Sequence, residues 1–281
     1  MNSPISRRTV TASLLASAAV MATPGAAFSA TSTVENQRAD PRQHPAKPTI
    51  VLIHGAFADA SSWSAVVERL LRQGHHVLAP ALPLRGLASD ASYIRSVLDS
   101  IQGPIVLVGH SYGGSVISQA AAEFPRVKAL VYIAAFVPDI GESALELTNK
   151  YPGSTLAQAT SSQSYPLPGG GTGEELIIKK DLFREQFAAG VPIPTAQVMA
   201  AGQRPITVAA LQEKATAASW KKIPSWYLVA TEDRNIPPAA EQWMAERAGA
   251  RTITVRAPHA VAVSDPGPVT DLILSAARRT H

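Results

Sequence analysis

Ile105-Val106-Leu107-Val108-Gly109-His110-Ser111-Tyr112-Gly113-Gly114 decides how this chain folds. Its first four residues are apolar, three of them β-branched, and read as a strand buried on both faces. Glycines at 109, 113 and 114 then surround a serine, and residues 111–123 read as a small-residue helix. A serine spaced G-x-S-x-G at a tight strand-to-helix turn is the pattern of an exposed nucleophile. The turn strains the serine backbone, and glycine neighbours avoid Cβ clashes there. The helix N-terminus aims free N–H groups and a positive dipole end at the point where an oxyanion would form. Ser111 is therefore the candidate nucleophile, and the Tyr112 N–H is one candidate oxyanion donor.

Working outward, short apolar runs alternate with helical periods. Strands are predicted at 49–53, 76–79, 105–108, 127–135, 226–230 and 252–255. Helices are predicted at 61–73, 90–102, 111–123, 239–248 and from 269 to the end. Strands apolar on both faces, alternating with helices, imply an α/β fold with a mainly parallel sheet of about six strands covered on both sides. Residues 138–222 break the alternation with Gly, Pro, Ser and Thr and short helical pieces near 176–187 and 207–218. They read as a small helical cap inserted after the fourth strand.

A serine hydroxyl needs a base to attack at neutral pH. Of the seven histidines, His44 and His281 lie in tails, His75 and His76 open a strand, and His54 closes one. His110 sits inside the turn and points away from the nucleophile. His259, just after the last strand, is the candidate base, because loops at strand C-terminal ends build sites in such sheets. The base needs a carboxylate to hold its tautomer. Asp233, after the fifth strand, is the candidate, with Glu232 and Asp265 as rivals; Asp265 reads as a cap of the last helix. The second oxyanion donor should come from His54-Gly55-Ala56-Phe57, with the N–H of Ala56 ahead of that of Phe57.

Composition narrows the function classes. Apolar residues are 46% and charged residues 16% of 281, which excludes a disordered chain. The absence of cysteine removes disulfides, thiolate metal sites and a thiol nucleophile. The net charge of +4 is scattered, with no basic block that would mark a nucleic-acid surface.

Residues 1–30 carry Arg7 and Arg8 and no acid, then thirteen apolar or small residues from Val10 to Ala22, then small residues to Ala30. That order marks a signal peptide, cleaved near 27–30, and an exported protein, periplasmic or extracellular. The apolar run is too short for a bilayer core of about 30 Å, so no stable membrane anchor is expected. Ser6-Arg7-Arg8-Thr9-Val10 resembles a twin-arginine signal, with general export as the alternative because Thr11 and Ala12 depart from the motif. Removing this leader lowers the net charge from +4 to +2. Residues 31–48, polar and with three prolines, read as a flexible tether.

From residue 49 to 280 the chain resembles the α/β-hydrolases, in particular the branch of plant methylesterases and hydroxynitrile lyases with related bacterial esterases. The resemblance rests on Val51-Leu52-Ile53-His54-Gly55-Ala56-Phe57, on 109–114, and on Thr231-Glu232-Asp233-Arg234-Asn235-Ile236-Pro237. It implies a triad of Ser111, Asp233 and His259, with Ala56 and Tyr112 as oxyanion donors. Hydroxynitrile lyases of that branch carry a lysine directly after the catalytic histidine, where this chain has Ala260. The expected activity is therefore a carboxylesterase on small to medium esters, with no metal or organic cofactor. A cofactor-free C–C lyase or perhydrolase on the same triad is one alternative. A non-catalytic ligand-binding protein on the same fold is another.

Overall fold

Runs of Val, Ile and Leu favour extended backbone, and the chain uses them to thread its core. The computed structural model describes residues 47–280; the leader and all but two residues of the tether lie outside the described residues. In chain order the first half comprises β1 (Thr49–Ile53), α1 (Ser64–Arg72), β2 (Val77–Leu78), α2 (Leu87–Asp99), β3 (Ile105–Ser111), α3 (Tyr112–Ala120) and β4 (Val127–Ala135). The insertion follows with α4 (Ala144–Thr148), α5 (Leu156–Ala159), β5 (Thr160–Pro166), β6 (Thr172–Ile178), α6 (Phe183–Gln186), α7 (Ile193–Gly202), β7 (Ile206–Thr207) and α8 (Val208–Gln212). The chain then returns through β8 (Ser225–Ala230), α9 (Pro238–Arg247), β9 (Arg251–Val255), α10 (Val261–Ser264) and α11 (Pro266–Ala277).

The main sheet has six strands in the order β2-β1-β3-β4-β8-β9, all paired in parallel. Alternate residues of each strand feed opposite cores, because side chains alternate across a strand. Ile50 and Leu52 pack with Trp63, Val66 and Leu70 on one face, together with Val269 and Ile273 of α11. Val51 and Ile53 pack on the other face with Ile94 and Leu98 of α2, Val116 of α3 and Met244 of α9. Among the described residues no helix is long and apolar enough to cross a membrane.

Three predicted features differ. The insertion is not purely helical, since β5, β6 and β7 form a three-stranded antiparallel sheet. Gly169, Gly170 and Gly171, all at positive φ, close its hairpin tip, and the Gly170 N–H donates to the Leu167 carbonyl at 3.1 Å. The helix expected from Asp90 starts at Leu87, because the Glu213 carboxylate of the cap accepts from the N–H of Leu87 at 2.6 Å and of Ala88 at 3.2 Å. Those donors would otherwise be orphaned at the helix start. The last helix opens at Pro266 rather than Val269, as proline tolerates the first turn.

Candidate active site

Ser111 ends β3 and precedes the first turn of α3, at φ 53° and ψ −124°. A positive φ is strained for a residue with a side chain. Neighbouring structure holds it there: the β3–β4 register slips between His110 and Ser111, so that Ser111 pairs with Ala135. A register irregularity of this kind re-aims a side chain. Gly55 lets the β1 loop lie directly against the serine. A Cβ at that position would stand 2.5 Å from the Ser111 Cβ and 3.0 Å from the His110 carbonyl oxygen.

Ser111 borders a cavity of about 310 Å³ that Ala56 and Tyr112 also line. From the cap, Leu145, Leu156, Leu176 and Leu211 line it beside Thr148, Asn149 and Gln158, and among the described residues no Asp, Glu, Lys or Arg does. The Tyr112 N–H opens α3 and so has no acceptor within the helix. The Phe57 N–H is occupied, donating to the Arg204 carbonyl at 3.1 Å, whereas the Ala56 N–H has no partner among the described residues. The Tyr112 side chain faces away from this work: its hydroxyl donates to Asp90 at 3.0 Å. Burial raises the Asp90 carboxyl and, with the neighbouring Asp90 charge, pushes the Tyr112 phenol far up.

Asp233 and His259 meet in the interior, both almost fully buried. The His259 Nδ1–H donates to Asp233 Oδ2 at 2.5 Å. Asp233 Oδ1 accepts from the N–H groups of Asn235 at 2.6 Å and Ile236 at 3.0 Å. With the proton on Nδ1, the lone pair of the neutral ring sits on Nε2, and that atom has no hydrogen-bond partner among the described residues. No hydrogen bond joins it to Ser111; catalytic hydrogen bonds are often loose before substrate arrives. Glu232 lies at the surface, where it bonds Arg256 at 2.6 Å. Asp265 occupies the N-cap position of α11, but its side chain makes no capping bond, contrary to expectation.

Two supports escaped the sequence reading. His110 turns away from Ser111 and donates through Nε2–H to the His259 carbonyl at 2.9 Å, with the two rings 4.6 Å apart. Burial, then the nearby His259, drives the His110 pKa well below its ordinary value, so the ring is neutral. The cap supplies the second support. Gln186 donates to the Arg234 carbonyl and to Asn235 Oδ1, both at 2.8 Å, and accepts from Thr155 Oγ1 at 2.7 Å. The next residue, Phe187, accepts the Ala260 N–H at 2.9 Å and sets its ring edge-on to His259 at 5.1 Å. No motif encodes these contacts, which join residues far apart in the chain. Among the described residues no group of three or more His, Asp or Glu side chains could hold a metal ion.

The profile of the alpha/beta hydrolase family matches residues 50–272. The chain is 36% identical over 113 residues to the carbendazim hydrolyzing esterase of Nocardioides sp. (strain SG-4G), covering 36% of this chain and 47% of that relative, about half its length. It is 25% identical over 219 residues to Methylesterase 1 of Arabidopsis thaliana, covering 70% of this chain and 83% of the relative. The crystal structure of polyneuridine aldehyde esterase superposes with a TM-score of 0.71 over 82% of this chain and 99% of that one, at 20% identity, a likeness of fold. The chain belongs to the alpha/beta hydrolase family and is a hydrolase with esterase-like relatives.

Proposed function

We propose that the protein is a carboxylesterase acting on small to medium uncharged esters through Ser111, His259 and Asp233. One observation carries this: a buried imidazole, its Nδ1–H locked on Asp233 and its Nε2 unpartnered among the described residues, 4.6 Å from the ring of His110, whose chain neighbour is a strained serine bordering a largely apolar cavity. Ser111 Oγ attacks the acyl carbon while His259 Nε2 takes its proton. The carbonyl π electrons move onto oxygen, where the N–H groups of Ala56 and Tyr112 stabilise the charge. Asp233 stabilises the imidazolium without taking its proton. His259 then protonates the departing alkoxide as the C–O bond breaks, leaving an acyl-Ser111. Water repeats the sequence, losing its proton to His259, and the carboxylic acid leaves as Ser111 regains its hydrogen.

A cavity of about 310 Å³ lies at the small end of ligand sites, which supports small to medium esters. Against the lyase alternative, no lysine or arginine lines the cavity to hold a cyanide leaving group. Residues 1–30 are taken as an export signal, which N-terminal sequencing of exported protein would test. The activity test is a series of p-nitrophenyl esters of rising acyl length with wild type and Ser111→Ala. The variant should lose on the order of 10⁶ in kcat, the cost of removing the nucleophile in another triad enzyme. Ser111→Ala activity within about tenfold of wild type would overturn the assignment.

A further inference from the structure

Beside the turn that carries Asp233, α9 holds a second acid. Glu241 is completely buried, and its Oε2 accepts the Ala230 N–H at 3.0 Å. Among the described residues its Oε1 has no hydrogen-bond partner, and no lysine or arginine pairs with it. The groups facing it are few. Tyr227 of β8 approaches from the sheet, but its hydroxyl is engaged with the Ala135 carbonyl at 2.5 Å and the Ala135 N–H at 3.0 Å. Asp233 stands on the same turn as Ala230, its N–H donating to the Ala230 carbonyl at 3.2 Å, with His259 beyond it. The Arg234 guanidinium is half-exposed and paired with Glu185 at 2.6 Å.

Two carboxyls in one dry site without a cation between them cannot both carry charge. Asp233 is the one whose ionised form is served: two backbone N–H groups and an imidazole N–H point at its oxygens. Glu241 is served by a single N–H, which a protonated carboxyl can equally satisfy through its carbonyl oxygen. Its remaining oxygen then carries the hydrogen.

We propose that Glu241 is a positioning residue of the active site, a carboxylic acid that keeps its proton in the folded protein and presents it to Asp233. The buried pair thus holds a single negative charge, and that charge faces His259. A hydrogen bond from behind fixes the Asp233 carboxylate plane against His259, whose imidazolium it stabilises without taking the proton. Burial, followed by the Asp233 charge and the hydrogen bond to it, raises the Glu241 carboxyl well above its ordinary 4.5. The proposal rests on the triad assignment above, but its primary test does not require ester hydrolysis.

That test uses Glu241→Gln, whose amide occupies the same volume and donates where the acid would. Above about pH 4.5 an unfolded chain releases the Glu241 proton while the fold retains it, so wild type loses stability relative to the variant as pH rises. Urea unfolding of both proteins from pH 5 to 8 should show the ratio of their unfolding constants changing by up to about tenfold per pH unit. The infrared difference spectrum at neutral pH should contain one protonated-carboxyl band that Glu241→Gln lacks. A pH-independent ratio with no such band would mean Glu241 is ionised and would overturn the proposal. The positioning role is tested by kinetics. Glu241→Gln should keep kcat within about threefold, whereas Glu241→Leu should lose about tenfold in kcat at little change in KM. In Glu241→Leu the acid limb of the pH profile should also move upward, since the Asp233 charge, no longer shared with an acid behind it, stabilises the imidazolium more. A folded Glu241→Leu protein with wild-type kcat and an unmoved acid limb would limit Glu241 to structure.

Discussion

Replacing Gly55 by alanine probes the approach of the β1 loop to Ser111. Gly55 does not lie at positive φ, so the substitution tests space and not backbone conformation. The new Cβ would stand 2.5 Å from the Ser111 Cβ. Unstrained carbon atoms sit about 3.5–4.0 Å apart, so the loop or the serine must retreat by about 1 Å. Overpacking of this kind costs about 1–3 kcal/mol of stability. The kinetic cost is separate. The retreat pulls the Ala56 N–H and Ser111 Oγ apart, and a misplacement of about 1 Å costs on the order of 100-fold in rate. That corresponds to about 2.7 kcal/mol of lost transition-state stabilisation. The assay is kcat and KM on p-nitrophenyl acetate beside urea unfolding of the same preparations. The loss should fall on kcat, since the cavity is lined mostly by the cap. Stability within about 0.5 kcal/mol and kcat within about threefold of wild type would refute the close approach and the oxyanion geometry built on it.

Two further outcomes are expected. Asp233→Asn keeps the packing but favours the wrong His259 tautomer, at a cost of about 10⁴ in kcat as in another Ser-His-Asp enzyme; Glu232→Gln, at the surface with Arg256, should stay within about threefold. Because burial lowers the pKa of His110, the unfolded chain takes up a proton below pH 6.5 that the fold refuses. Relative to His110→Asn, wild type should therefore lose up to about 1.4 kcal/mol of stability per unit as pH falls below 6.5, and a constant difference would mean that His110 titrates normally.

The sheet was legible because each central strand is buried on both faces and reads as an unbroken apolar run, as at 50–53 and 105–108. The serine turn was legible because its demand for glycine leaves a local signature. The cap was not. Residues 160–166 form a strand with mostly half-exposed or exposed side chains, so no apolar period marks it. Leu176, Ile177 and Ile178 look helical beside Phe183 but end a strand. The start of α2 is set by a carboxylate 126 residues away, which no local rule can anticipate. His110 could be excluded as the base from its place in the turn. Its actual partner, the His259 carbonyl, is 149 residues distant and appears only in three dimensions.

The contacts of Gln186 and Phe187 divide the cap into two provinces with different freedom to change. The side chains of Leu145, Thr148, Asn149, Leu156, Leu176 and Leu211 wall the cavity, so they can drift with the choice of ester. Residues 186 and 187 act instead as a keystone, one fastening the loop of Asp233 and the other the loop of His259. Trimming the whole cap to widen the entrance would therefore unfasten both loops at once. Transplanting a foreign cap onto this sheet would succeed only if the graft carried an amide and a backbone carbonyl to the same two points. Substrate range in this scaffold should thus diversify through those wall side chains, with the short α6 segment left in place.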